Sequence, residues 1–189
     1  IVSLCRRLPV VSTFRSTLWD WEEARDFCTM CLSYIDVLFG IEPYHLWKDE
    51  QDHQTGDVKD GVPFQPDFKQ QDEVFHGFVK RYPNIKCIAR HVRYAHSCSE
   101  NSLMAYLWYD GKTYESQKLR FHILDRVGGG DAFVSGIIYA LMNEYKPQDI
   151  ADFGVAASAV KHTIHGDGNI TDDVSLIEHI MQMNFDIKR

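Results

Sequence analysis

The chain has 189 residues, 44% hydrophobic and 13% aromatic, with 20 basic against 27 acidic side chains and a net charge of −7. That is enough chain for one domain with a real core, spanning residues 1–189, and too apolar for a disordered chain. No basic stripe points to nucleic acid, and no apolar run is long enough to cross a membrane.

In Ile1-Val2-Ser3-Leu4-Cys5-Arg6-Arg7 the basic residues follow the apolar ones, the reverse of a secretory signal. Residues 9–15 read as a short buried strand. A helix is predicted over residues 20–34, with Glu22 and Glu23 in its first turn. Ile35-Asp36-Val37-Leu38-Phe39-Gly40 is a β-type run closed by glycine, so this region reads as a βαβ unit. Cys28-Thr29-Met30-Cys31 is formally a Cys-x-x-Cys, but it falls inside the predicted helix and no second ligand pair accompanies it. Buried thiols are the favoured reading over a redox or metal site. Free cysteines without an export signal point to a cytoplasmic protein.

Residues 48–63 are polar and read as a long exposed loop, with His45 and His53 as solvated residues rather than metal ligands. Asp67 can cap a helix reaching residue 82, with Phe68, Val74, Phe75, Phe78 and Val79 on its apolar side. A strand follows over residues 85–89. Residues 91–97, which include His91, Arg93 and His96, read as a loop. Asp110-Gly111 is a strong turn pair and sets a hairpin between residues 103–109 and 112–114.

The chemistry concentrates in Asp125-Arg126-Val127-Gly128-Gly129-Gly130-Asp131-Ala132-Phe133. Phe133, Val134, Ile137, Ile138, Leu141 and Met142 surround the following helix nearly all the way round, which predicts a buried helix rather than an amphipathic one. Free N–H groups and the positive end of the dipole at its start attract an anion, and glycines let a phosphate come close. Asp131 is then either a base that takes a proton from a hydroxyl or a plain N-cap on a glycine turn. No Lys-Ser/Thr pair follows the glycines, so this is not a Walker loop. Phe133 stands where a dinucleotide fingerprint needs its third glycine. Pro147 starts another helix, whose Ala151, Ala156, Ala157 and Ala159 permit close packing on a neighbour. Residues 161–169 form a glycine-punctuated loop, and residues 174–183 a last amphipathic helix.

The stretch Asp125 to Phe133 resembles the C-terminal signature of the ribokinase-like (PfkB) sugar kinases, Asp-x-x-Gly-Ala/Gly-Gly-Asp. The resemblance implies a three-layer α/β/α sandwich with a mostly parallel sheet. The chain would be its C-terminal portion, without the first strands and the lid sheet. It implies ATP and Mg²⁺ as cofactors. Gly128, Gly129 and Gly130 would form the anion hole, with Asp131 as catalytic base. A monovalent cation such as K⁺ would lie beside Asp125 and the Val127 carbonyl. Residues 91–97 fall where the family carries a nucleotide-binding loop, which makes His91 and Arg93 candidate nucleotide contacts. The loop around Asp167 would lie under the adenine and reach the sugar.

Arg15, followed by Leu18-Trp19, is similar to the Asp-x-Asn-Tyr-Arg and Leu-Trp elements of the 2-keto-3-deoxygluconate kinases. A fixed guanidinium there would hold a sugar acid by its carboxylate. The segment from Ser97 to Tyr114 also resembles that branch. Val11 and Thr13 replace the family's Asp and Asn, and Phe39 stands for the Asn of an Asn-x-x-Glu element ending at Glu42. The implied function is an ATP-dependent kinase of a sugar acid, homo-oligomeric in its full-length form. The alternatives are a kinase of a neutral sugar or nucleoside, and a catalytically silent nucleotide- or sugar-binding module.

Overall fold

The computed structural model describes residues 10–11, 20–40, 67–169 and 174–182. These residues group into two compact units. Residues up to Arg90 together with Tyr106–Tyr114 make the first, and the rest make the second. Strands β3 (Cys87–Ala95) and β4 (Glu100–Tyr109) contribute residues to both.

In the first unit, β1 (Val10–Val11) pairs in parallel with β2 (Val37–Phe39), and β2 in parallel with β3, Val37 facing Cys87 and Phe39 facing Ala89. This is the βαβ arrangement expected from the sequence. Helix α1 (Trp21–Cys31) is capped by Asp20, whose carboxylate accepts from the Glu23 N–H at 2.9 Å, and a 3₁₀ turn continues it to Tyr34. Cys31 ends α1 half-buried, so the Cys-x-x-Cys is helical, as expected. The Asn84 amide donates to the Leu32 and Ile35 carbonyls at 2.8 and 2.7 Å and pins the turn before β2. Helix α2 (Phe68–Arg81) starts on its Asp67 cap. It buries Phe75 and Phe78, while Phe68, expected on its apolar side, is 40% exposed. Gln71 is buried instead and accepts from Arg90 Nη1 at 2.8 Å. Strand β5 (Lys112–Glu115) follows β4 through the Asp110-Gly111 turn, both residues with positive φ, the hairpin expected there.

In the second unit, β6 (Leu119–His122) pairs antiparallel with the start of β4. The sheet is therefore mixed. Its parallel part is β1–β2–β3, and β6 joins β4 antiparallel although β5 lies between them in the chain. Helix α3 (Gly129–Met142) lies against α4 (Pro147–Lys161). An added Cβ on Gly136 would stand 2.9 Å from Ala157 Cβ and 3.1 Å from Gly154 Cα, so small residues set this close approach. Helix α5 (Val174–Gln182) packs on α4, and its Glu178 accepts from the hydroxyl of Tyr145, in the turn between α3 and α4.

Two expectations need correction here. Helix α3 is not buried all round. Gly129, Ala132, Phe133, Gly136, Ile137 and Ala140 form one buried face at helical spacing, while Tyr139 and Met142 are 37% and 59% exposed. One neighbour covers one face, and a run of apolar residues cannot say how many neighbours there are. Helix α4 is the one with buried residues on every side, because its small side chains leave room for neighbours all round. The second correction concerns residues 91–97. They are not all loop: β3 runs on to Ala95, and only residues 96–99 connect it to β4.

Candidate active site

Residues 123–127 cross from β6 to α3, and their backbone is tied down at several points. The Ile123 N–H donates to the Ser99 carbonyl at 2.7 Å, and the Leu124 and Asp125 N–H groups share the His162 carbonyl. Arg126 donates to the Cys98 carbonyl at 2.9 Å. Asp125 binds two loops at once, since its carboxylate accepts from the Val127 N–H at 3.0 Å and the Gly166 N–H at 2.8 Å. These backbone donors, helped by the Lys161 ammonium, hold its carboxyl below the usual carboxylate range.

Gly128 is the N-cap of α3, with φ +78° and ψ 0°, a left-handed conformation that glycine adopts without strain. A side chain there would also meet the Asp167 carbonyl at 3.0 Å and Lys161 Cε at 3.1 Å. Asp131 is therefore not the N-cap, which disposes of the plain-cap reading. It stands in the first turn, exposed, beside the free N–H groups of the helix start. Gly129 is buried. Its carbonyl accepts from the Ser158 hydroxyl at 2.8 Å, and the His162 ring fills the space where its Cβ would be. Gly130 is exposed, with only His91 Cε1, at 3.9 Å, near its Cβ position.

The site's electrostatics favour an anion. The His162 Nδ1 bonds the Ser158 carbonyl at 2.7 Å, which makes Nδ1 the protonated nitrogen of the neutral ring. Burial is the main cause pulling its pKa below the ordinary value, and the charges of Arg93, Lys161 and Arg126 add to it. Three cations thus act on the ring that fills the space beside Gly129. The alternating pattern of β3 places His91 and Arg93 on the same exposed face of the strand, with Val92 and Tyr94 inward. The His91 ring lies 4.9 Å from that of Phe133, in the first turns of α3.

The structure therefore gathers Asp125, Val127, Gly128, Gly130, Asp131, His91, Arg93 and the backbone of Asp167 around one helix start. Arg15 and Glu42 lie outside the described residues. Phe39 is buried in β2. Sequence reasoning passed over three residues here: His162, Lys161 and Ser158. Lys161 and His162 were read only as part of a glycine-punctuated loop, and nothing in their spacing signals that they lie behind the glycines.

Residues 105–173 match the model of the pfkB family carbohydrate kinases, a span that includes the glycine turn, α3, α4 and the loop after them. The chain is 26% identical over 155 residues to the 2-dehydro-3-deoxygalactonokinase of Haloferax volcanii, covering 82% of this chain and 41% of that one. Over 71 residues it is 31% identical to the 5-dehydro-2-deoxygluconokinase of Clostridium botulinum, covering 38% of this chain and 20% of that one. Its fold is similar to that of the 2-dehydro-3-deoxygluconokinase of Thermotoga maritima, with a TM-score of 0.77 at 25% identity over 93% of this chain and 50% of that one. The architecture is thus the ribokinase-like α/β fold. The chain spans half or less of the length of each of these three relatives.

Proposed function

We propose that the full-length protein is an ATP-dependent kinase that transfers a phosphoryl group to a hydroxyl of a sugar acid, 2-keto-3-deoxygluconate being the favoured substrate. The observation that carries this reading is the exposed Asp131 in the first turn of α3, one residue beyond the open Gly130 and next to a glycine turn backed by Lys161. A base beside an anion-binding helix start suits abstraction of a hydroxyl proton while amides hold the transferred group. The relatives' names support the substrate class, since they designate kinases of dehydro-deoxy gluconates and a galactonate.

The roles divide as follows. Asp131 takes the hydroxyl proton. Gly128 fixes the turn, and the N–H groups at the start of α3 face the developing charge. His91 and Arg93, side by side on β3, meet the nucleotide phosphates or base, and the Asp167 loop contributes toward the sugar. Arg15 would hold the substrate carboxylate. ATP with Mg²⁺ supplies the phosphoryl group and neutralises phosphate charge. Mg²⁺ would come on the nucleotide phosphates. A cytoplasmic, homo-oligomeric enzyme fits this reading. Among the described residues, no helix is long and apolar enough to cross a membrane.

The test is ADP release by the full-length protein with ATP and 2-keto-3-deoxygluconate, beside 5-dehydro-2-deoxygluconate, fructose and adenosine. Turnover confined to sugar acids supports the proposal. Preference for fructose or adenosine would replace the substrate, and nucleotide binding without turnover of any acceptor would make the protein a binding module.

A further inference from the structure

Lys161, the last residue of α4, is a completely buried basic side chain. Its ammonium donates to two backbone carbonyls of the following loop, Gly166 at 2.7 Å and Ile164 at 3.3 Å. Its Cε lies 3.1 Å from where a Gly128 side chain would begin, directly behind the glycine turn. The charge also reaches the Asp125 carboxylate, which in turn receives the Gly166 N–H at 2.8 Å. Asp125, Gly128 and residues 164–167 thus surround one fixed positive charge.

Burying an ammonium is costly, and two carbonyl hydrogen bonds offset that cost only in part. An exposed lysine could cap the same carbonyls without that cost. What the burial adds is a positive charge of fixed position behind the helix start that the phosphoryl group must approach, in surroundings that screen it little. The residues do not fit a separate K⁺ at this place. The Ile164 and Gly166 carbonyls that would ligate a cation already accept from the Lys161 ammonium, and each Asp125 oxygen already accepts one N–H bond.

We infer that the Lys161 ammonium is a built-in monovalent cation, filling the carbonyl cradle between the Asp125 to Gly128 turn and the 164–167 loop, so that the protein needs no K⁺. Lys161 is a positioning residue: it orders the turn and adds to its field without touching substrate. The role in catalysis rests on the kinase reading, whereas the occupancy of the cradle does not.

The test compares the full-length protein with Lys161→Met in tetramethylammonium, potassium and ammonium chlorides at equal ionic strength. Two readouts are taken, thermal unfolding and phosphoryl transfer. Wild-type Tm and rate should be the same in all three salts. Lys161→Met should unfold lower in tetramethylammonium and regain about 3 °C or more in potassium or ammonium. Its rate should fall about a hundredfold in tetramethylammonium and recover at least about tenfold with the small cations. The unfolding arm stands even if no acceptor is ever phosphorylated, so failure of the kinase reading and failure of this one are separable. If the variant does not fold, the wild-type arm decides alone. Wild-type stabilisation or activation by K⁺ would overturn the inference, as would a variant indifferent to which cation is present.

Discussion

The His162 imidazole occupies the space in which a side chain on Gly129 would stand. An ideal Cβ there would lie 2.8 Å from Nε2 and 3.0 Å from Nδ1 of the ring. The three glycines therefore do different things. Gly128 supplies a left-handed φ, Gly129 makes room for a buried histidine, and Gly130 leaves the helix start open to solvent. Gly129→Ala should lower stability by about 1–3 kcal/mol through overpacking, seen as a lower Tm. Gly130→Ala should leave Tm unchanged or slightly raised, because alanine suits a helix better. Its cost should appear in kcat. A normal kcat in Gly130→Ala would mean that no phosphoryl group approaches there.

Asp131→Asn keeps the size and the helix-start position of the side chain but removes the proposed base. In the full-length protein kcat should fall by about two to four orders of magnitude, with ATP affinity largely kept. Turnover measured at saturating ATP and sugar acid checks this. A near-normal rate would leave Asp131 as a dipole-matching carboxylate only.

Burial holds His162 below its ordinary value of 6.5. As pH falls, the unfolded histidine takes up its proton first while the folded one resists. Its contribution to stability is therefore full above pH 6.5 and shrinks as pH drops below that. The melting temperature of wild type should decline between pH 7 and pH 5 more steeply than that of His162→Gln, whose amide can still donate to the Ser158 carbonyl. Parallel declines would show that other groups set the acid limit.

Asp152, on α4, is half-buried, and desolvation raises its pKa above 3.8. Here the folded state holds the proton more tightly, so stability is lost as pH rises through that raised value. Its Oδ1 accepts from the Gln117 N–H at 2.7 Å, and an asparagine oxygen can do the same. The exposed contact from Gln148 to Oδ2 can turn to present its own oxygen. Asp152→Asn should therefore raise Tm at pH 7 and change it less at pH 4. An equal change at both values would trace the effect to packing.

Arg15→Lys addresses substrate choice. Lysine cannot reproduce the two parallel hydrogen bonds of a guanidinium to a carboxylate. KM for the sugar acid should rise about ten- to a hundredfold with little change for ATP. Equal KM values in both forms would remove the carboxylate clamp and leave the kinase reading, which rests on Asp125 to Asp131.

Much of this architecture was legible in the order of residues. Asp20, Asp67 and Pro147 mark helix starts, Asp110-Gly111 marks a hairpin, and Gly128 to Gly130 mark the start of α3, because each depends on neighbours within a few positions. What lay beyond the sequence was every property set by a distant partner. Helix α3 turned out one-sided because burial counts neighbours, which periodicity does not. His91 and Arg93 belong to a strand because pairing with β4, rather than local propensity, extends β3 to Ala95. Lys161 and His162 looked like ordinary polar residues after a helix. Only the return of α4 beneath the glycine turn, through a close crossing at Gly136 and Gly154, brings the buried ammonium and the neutral imidazole to the back of the site.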